Sequence, residues 1–140
     1  MVMWLLKTEP DAYSYDDLER DGQTMWDGVT QPHALQNLRK IQSGDVALIY
    51  HTGDERAIVG LAEVIRGYYV HPEQENPKLA VCDVRAKNRL ARPVTLAQIK
   101  AHPLLQNWDL VRLARLSVVP VMDEQWQIVR AMSEEAGAQT

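Results

Sequence analysis

Met1-Val-Met-Trp-Leu-Leu-Lys-Thr-Glu-Pro10 is the stretch around which the rest of the chain is organised. Its apolar run, Val2 to Leu6, ends abruptly in Lys7-Thr8-Glu9-Pro10. A short apolar run bounded by polar residues fits a buried strand. Strand side chains alternate between two faces, so Lys7 and Glu9 share one face and Thr8 points the other way. Pro10 stops the ladder, because it has no N–H to donate. The strand therefore delivers three polar side chains to one place. These ten residues allow two readings: a solvated strand end with an exposed ion pair, or the floor of a pocket.

The chain has 140 residues, which fits one domain over 1–140 with room for one core. Its 46% hydrophobic and 24% charged content are ordinary for a soluble globular protein. Phe is absent, so Trp4, Trp26, Trp108, Trp126 and five Tyr carry all the aromatic surface. The one cysteine, Cys82, excludes an intramolecular disulfide and a Cys-cluster metal site. In Leu79-Ala-Val-Cys-Asp-Val84 it reads as a small buried hydrophobe, with a reactive thiol as the alternative. The N-terminal apolar run is short and has no basic n-region, so it does not read as a secretory signal. No stretch is long enough to span a bilayer. A cytoplasmic, reduced setting and a monomer without membrane partners are the default expectations.

The net charge of −4 argues against binding that relies on phosphate neutralisation alone. The charge is unevenly spread. Residues 84–122 hold seven basic residues, Arg85, Lys87, Arg89, Arg92, Lys100, Arg112 and Arg115, against Asp109 alone, a local balance of +6. A basic third in an acidic protein suggests a local anionic partner, and a solvated basic face is the other reading.

Ser14-Tyr-Asp-Asp-Leu-Glu-Arg20 predicts a short helix with Ser14 as N-cap and Asp17 in the capping-box position. In Thr24-Met-Trp-Asp-Gly-Val-Thr30, Gly28 places Trp26 in or beside a turn. Pro32 to Ile41 is amphipathic, with Ala34, Leu35, Leu38 and Ile41 on one stripe. Asp45–Tyr50 and Ala57–Ile65 are the strongest strand signals, joined by a turn over His51–Arg56. Gly60 inside the second of them hints at a bulge. Leu79 to Leu90 predicts a long strand whose far end carries the basic stripe Arg85, Lys87 and Arg89. Thr95 caps a short helix over 96–101, and Pro103 to Leu113 predicts a turn with a second helical segment. Leu116–Val121 reads as an edge strand because of Pro120, and Asp123 as the cap of a final helix. The expectation is an α+β domain of five or six strands in a curved or barrel-like sheet with helices around it.

Phosphate-binding glycine loops, zinc-protease and hydrolase signatures and CxxC are all absent. His33, His51, His71 and His102 do not stand at metal-ligand spacing, so no metal or cofactor is expected. Asp16, Asp17, Glu19 and Asp21 read as a solvated helix face. What recurs is a polar cluster at the ends of buried strands. Lys7-Thr8-Glu9 closes the first strand and His51-Thr52 closes the Asp45–Tyr50 strand. With Trp26 beside them, these ends outline a pocket for a flat ring with polar edges, such as a nucleobase.

Trp4-Leu-Leu-Lys-Thr-Glu-Pro10, Tyr13-Ser14, Trp26-Asp-Gly-Val29, Gly44-Asp45, Tyr50-His51, Val59-Gly60 and Asn76-Pro-Lys78 before Val81-Cys-Asp-Val84 resemble the EVE domain over nearly the whole chain. That family belongs to the PUA-like superfamily and is similar to the YTH domain, which holds a methylated adenine in an aromatic cage. The resemblance implies a PUA-like pseudo-barrel of mostly antiparallel strands and a pocket for a modified base in DNA or RNA. Carried over by position, Lys7, Thr8, Trp26, His51 and Thr52 border that pocket. This chain has Thr30-Gln31 where the family has Arg-Asn, and Leu79 where it has Trp. Thr30, Gln31 and Leu79 are counted with the pocket residues by position.

The reading is a reader domain with Trp26 as an accessible stacking plate beside Thr8, His51 and Thr52. The stripe Arg85, Lys87, Arg89 and Arg92 would meet backbone phosphates. The alternative is a small hydrolase acting on a modified nucleoside, since the related ASCH domains include hydrolases that use Lys, Thr and Glu. Lys7, Thr8 and Glu9 would then be catalytic. Strand alternation disfavours that triad, because Thr8 faces away from its neighbours.

Overall fold

The computed structural model describes residues 2–138, with side chains to residue 134. Strand β1 (Met3–Thr8) is followed by α1 (Tyr15–Asp21), β2 (Gln23–Trp26), α2 (Pro32–Leu38), β3 (Val46–His51), β4 (Ala57–Val70) and β5 (Ala80–Thr95). Then come α3 (Leu96–Ala101), a 3₁₀ turn (Pro103–Leu105), α4 (Asp109–Arg112), β6 (Val118–Val121) and α5 (Asp123–Ala138). The six strands form one sheet in the order β2-β5-β4-β3-β1-β6. Among the described residues it is open, with β2 and β6 at its edges. Every neighbouring pair is antiparallel except β1–β3, which is parallel with Lys7 opposite Tyr50 and Thr8 opposite His51.

A parallel pair needs a long crossover, and α1, β2 and α2 supply it. The pair is covered on both faces, which is why Trp4, Leu5 and Leu6 and all six residues of β3 are buried without alternation. Asp45 ties the start of the pair together. Its carboxylate, 4% exposed, accepts the indole N–H of Trp4 at 3.0 Å, the backbone N–H of Val2 at 3.2 Å and that of Gln42 at 2.9 Å.

Helix caps follow local chemistry. Asp17 N–H donates to Ser14 Oγ at 3.1 Å, and Ser14 N–H donates back to Asp17 Oδ2 at 2.9 Å. Thr95 and Gln98 make the same reciprocal pair for α3. The cap of α5 differs from expectation. Met122 takes that position, its N–H donating to Gln125 Oε1 at 2.8 Å, while Asp123 already lies in the first turn.

Trp26 closes a strand rather than lying in a loop. Gly22, at φ 80°, reverses the chain directly into β2, and β2 pairs with β5 so that Trp26 stands opposite Cys82. The strands β4 and β5 run further than their sequence suggests. Pro93 is accommodated because the β4–β5 register shifts between Val94 and Arg89, where no ladder bond is demanded of it.

Gly60 stands at the register shifts of both β3–β4 and β4–β5. It also makes room for a ring. A Cβ there would lie 2.6 Å from Cε2 and Cζ of Tyr15, whose hydroxyl donates to the Leu61 carbonyl at 2.8 Å. Gly60→Ala must displace this buried ring and should destabilise the fold by about 1–3 kcal/mol, read as a lowered urea midpoint with an unchanged slope.

Candidate functional site

Parallel alignment brings the C-terminal ends of β1 and β3 to one edge of the sheet, and a cavity of about 580 Å³ opens there. Its floor is Lys7, Thr8, Glu9, Tyr50 and Thr52. Gln31, at the start of α2, stands over one side. Leu96 and Lys100 of α3, Leu110 and Val111 of α4, and Ala114, Arg115 and Ser117 from the approach to β6 complete the wall. Size and mixed lining are those of a small-ligand site, for which about 300–1,000 Å³ is usual.

Lys7 is the central polar group. Its Nζ donates to the Ala114 carbonyl at 2.9 Å and stands 5.6 Å from the centre of the Tyr50 ring. Burial pushes its pKa below the ordinary lysine value of 10.5. Burial also raises the Tyr50 phenol. Glu9 accepts the Thr52 hydroxyl at 3.2 Å. Gly53, at φ 78°, brings the β3–β4 turn against the same carboxylate, where a Cβ would come within 3.1 Å of Oε2.

Four cations border the cavity, Lys7, Arg56, Lys100 and Arg115, against the single carboxylate Glu9. Among the described residues none of the four forms a salt bridge. The site is therefore a locally positive cavity with apolar walls in a chain of net charge −4.

The opposite face of the same two strand ends has another task. Thr8 borders the cavity, yet its hydroxyl donates to the Tyr13 carbonyl at 2.6 Å. His51 is 7% exposed and uses both ring nitrogens. Tyr15 N–H donates to Nε2 at 3.0 Å, which leaves Nδ1 as the protonated nitrogen, donating to Glu55 Oε1 at 2.7 Å. His51 thus holds the start of α1 and presents no free edge to the cavity, contrary to the role expected of it.

The remaining expected residues are dispersed. Trp26 is 6% exposed, meets the Tyr13 ring edge-on at 6.4 Å and does not line the cavity, so it is a core side chain and not an accessible stacking plate. Thr30 and Leu79 line a separate concavity of about 330 Å³ together with His71 and Val81. Of the basic stripe, Arg85 pairs with Glu63 at 3.0 Å, and Arg89 pairs with Asp16 and with Glu19. Lys87 and Arg92 form no salt bridge among the described residues, and no member of the stripe lines the cavity. The acidic run of α1 is thus partly consumed in neutralising β5. Cys82 is fully buried beside Asp83, and its thiol is pushed up to about 12, which removes it as a nucleophile.

Alternation carries the signal that would have separated these roles. Tyr50 and Thr52 share one face of β3 and its extension, and His51 takes the other. Arg56, Lys100 and Arg115 come from three separate segments and have no local signature.

A mixed, open six-stranded sheet with helices around it and a cavity at its parallel strand ends defines an α+β protein of the PUA-like class. Solved structures share it throughout. An NMR structure of a Rhodopseudomonas palustris protein is 36% identical, with a TM-score of 0.90 over 96% of this chain and 94% of that one. Human THYN1, crystallised in complex with 5-methylcytosine-containing DNA, is 27% identical, with a TM-score of 0.88 over 96% and 98% of the two chains. Thymocyte nuclear protein 1 of Gallus gallus is 30% identical over 94% of this chain and 69% of its own length. The family model of the EVE domain matches residues 2–132. The chain belongs to the EVE domain family. An ASCH protein of Zymomonas mobilis, with a TM-score of 0.55 and 13% identity, shares the fold alone.

The lowered Lys7 pKa fixes a pH dependence. Between the native value and the ordinary one the unfolded chain binds more protons, so the penalty for burying the ammonium is relieved as pH rises through that window. Relative to Lys7→Met, the wild-type protein should gain thermal stability as pH is raised towards 10.5, measured as the difference in Tm across a pH series.

Proposed function

We propose that this chain binds nucleic acid and admits one extruded base, a modified one, into the cavity at the ends of β1 and β3. The observation that carries this reading is the combination of apolar walls with cations that have no salt-bridge partner among the described residues. Half-buried Leu96 and Val111 offer an apolar surface for a flat ring, and Gln31 and Ser117 offer donors and acceptors for its edge. Arg56, Lys100 and Arg115 stand at the same cavity, exposed, where the phosphates of a bound strand would be. They take the place of the β5 stripe, which is in part neutralised. The DNA complex of human THYN1 supports the same class of ligand for its relative.

Catalysis by Lys7, Thr8 and Glu9 is the weaker reading. The Thr8 hydroxyl is committed to Tyr13, the Lys7 amine to Ala114, and Glu9 to Thr52. No two of the three are hydrogen-bonded through their side chains.

The test is fluorescence anisotropy with DNA oligonucleotides that carry 5-methylcytosine or cytosine at one position. A methyl group moved from water onto apolar walls contributes about 0.8 kcal/mol, roughly fourfold in affinity. Val111→Trp, which fills the cavity, should abolish the preference. Arg56→Gln and Lys100→Gln should weaken both oligonucleotides alike and lower the salt slope by about 0.7–0.9 each. Equal affinity for the two oligonucleotides, unaltered by Val111→Trp, would sink the reading.

A further inference from the structure

The cavity is flanked by two further concavities, and their chemistry differs. One, of about 480 Å³, lies between the start of α2 and the segment that leads from α4 to β6. It shares Gln31, Ala114 and Arg115 with the main cavity, so those three residues form a saddle between them. Beyond the saddle its surface is Pro32, His33, Leu113 and Leu116, with no carboxylate. The other, of about 380 Å³, shares Arg56, Leu96 and Lys100 with the main cavity but carries Asp54 and Glu55.

We propose that the strand whose base enters the cavity continues across Arg115 into the Pro32–His33–Leu113 groove, which holds the neighbouring nucleotide. This rests on the nucleic-acid reading above and adds a path to it. Charge decides the direction. A phosphodiester leaving over Arg115 meets an exposed guanidinium with no salt-bridge partner among the described residues, and a groove free of acidic groups. One leaving over Arg56 and Lys100 must pass Asp54 and Glu55. Shape agrees with charge. The two concavities share Gln31, Ala114 and Arg115, so they adjoin and one strand can run from the first into the second. The groove also suits a base. Exposed Pro32 and His33 and half-buried Leu113 present flat and apolar surface, and a histidine ring is one of the side chains on which extruded bases stack. Arg115 is then a contact to the phosphate that links the two nucleotides.

The experiment compares the free nucleoside 5-methyl-2′-deoxycytidine with the two dinucleotides that extend it by one thymidine, on the 5′ or on the 3′ side. One dinucleotide should bind about tenfold more tightly than the nucleoside, and the other should gain clearly less, because on that side Arg56 and Lys100 meet the phosphate but Asp54 and Glu55 oppose the strand beyond it. Arg115→Gln should remove most of that gain. His33→Ala should reduce it about threefold or more. Both residues are exposed, so the variants should keep the wild-type Tm. Equal affinity of the two dinucleotides overturns the path, as does a gain that survives both substitutions, even where cavity-dependent recognition of the modified base holds. Should base preference be absent, a roughly threefold loss of affinity for a longer single strand in His33→Ala, which lies outside the cavity, supports the path by itself, and an unchanged affinity refutes it.

Discussion

The Asp45 carboxylate lies at the foot of the parallel pair β1–β3, almost out of solvent, and three N–H groups from β1 and the β3 approach converge on it. A buried carboxylate is tolerable only when its lone pairs are filled in this way, and removing a donor or the acceptor strands the others. The clamp fixes how far β1 slides along β3. That offset sets the other end of the pair, some five residues away, where Lys7 comes opposite Tyr50 and Thr8 opposite His51. A slip of β1 by one residue would turn its two faces over relative to β3 and take Lys7 off the face it shares with Tyr50. The position of the site is therefore a consequence of a hydrogen-bond cluster at the far edge of the sheet.

Two faces at one strand end divide the labour. One carries Lys7, Tyr50 and Thr52 into the cavity. The other uses Thr8 and His51 to fasten the backbone of Tyr13 and Tyr15. Tyr15 in turn lies over Gly60 and reaches the Leu61 carbonyl, so α1, β3 and β4 are held at one point. Arg89 adds an electrostatic tie from β5 to α1 through Asp16 and Glu19. These pairs are exposed and individually weak. Their larger effect is on the field: they quench part of the β5 charge and leave Arg56, Lys100 and Arg115 as the cations that dominate around the cavity.

The elements that sequence revealed are those whose cause is local. The apolar runs of β1, β3 and β4 and the capping residues Ser14 and Thr95 act within a few positions of themselves. The four-residue β2 and the extra length of β4 and β5 depend on partners far along the chain, and periodicity carries no trace of those. The site divides similarly. Lys7, Thr8 and Thr52 could be placed by the abrupt end of two buried runs, and Gln31 by position in the family pattern. Trp26 could not be separated from a surface aromatic, because its burial comes from Tyr13 and the pairing with β5. The wall of α3, α4 and the β6 approach assembles only in three dimensions. A sum of charge over residues 84–122 found cations without showing which of them face carboxylates.

His51 receives a proton donor on one side of its ring and offers one on the other, to groups that approach from different directions. Only a neutral imidazole in one tautomer has an acceptor and a donor so disposed. An amide side chain has both functions but fans them from a single carbon, and a carboxylate or an ammonium has only one of them. The position therefore has no isostere among the natural amino acids. The constraint on it comes from geometry alone, at a residue that does not line the cavity.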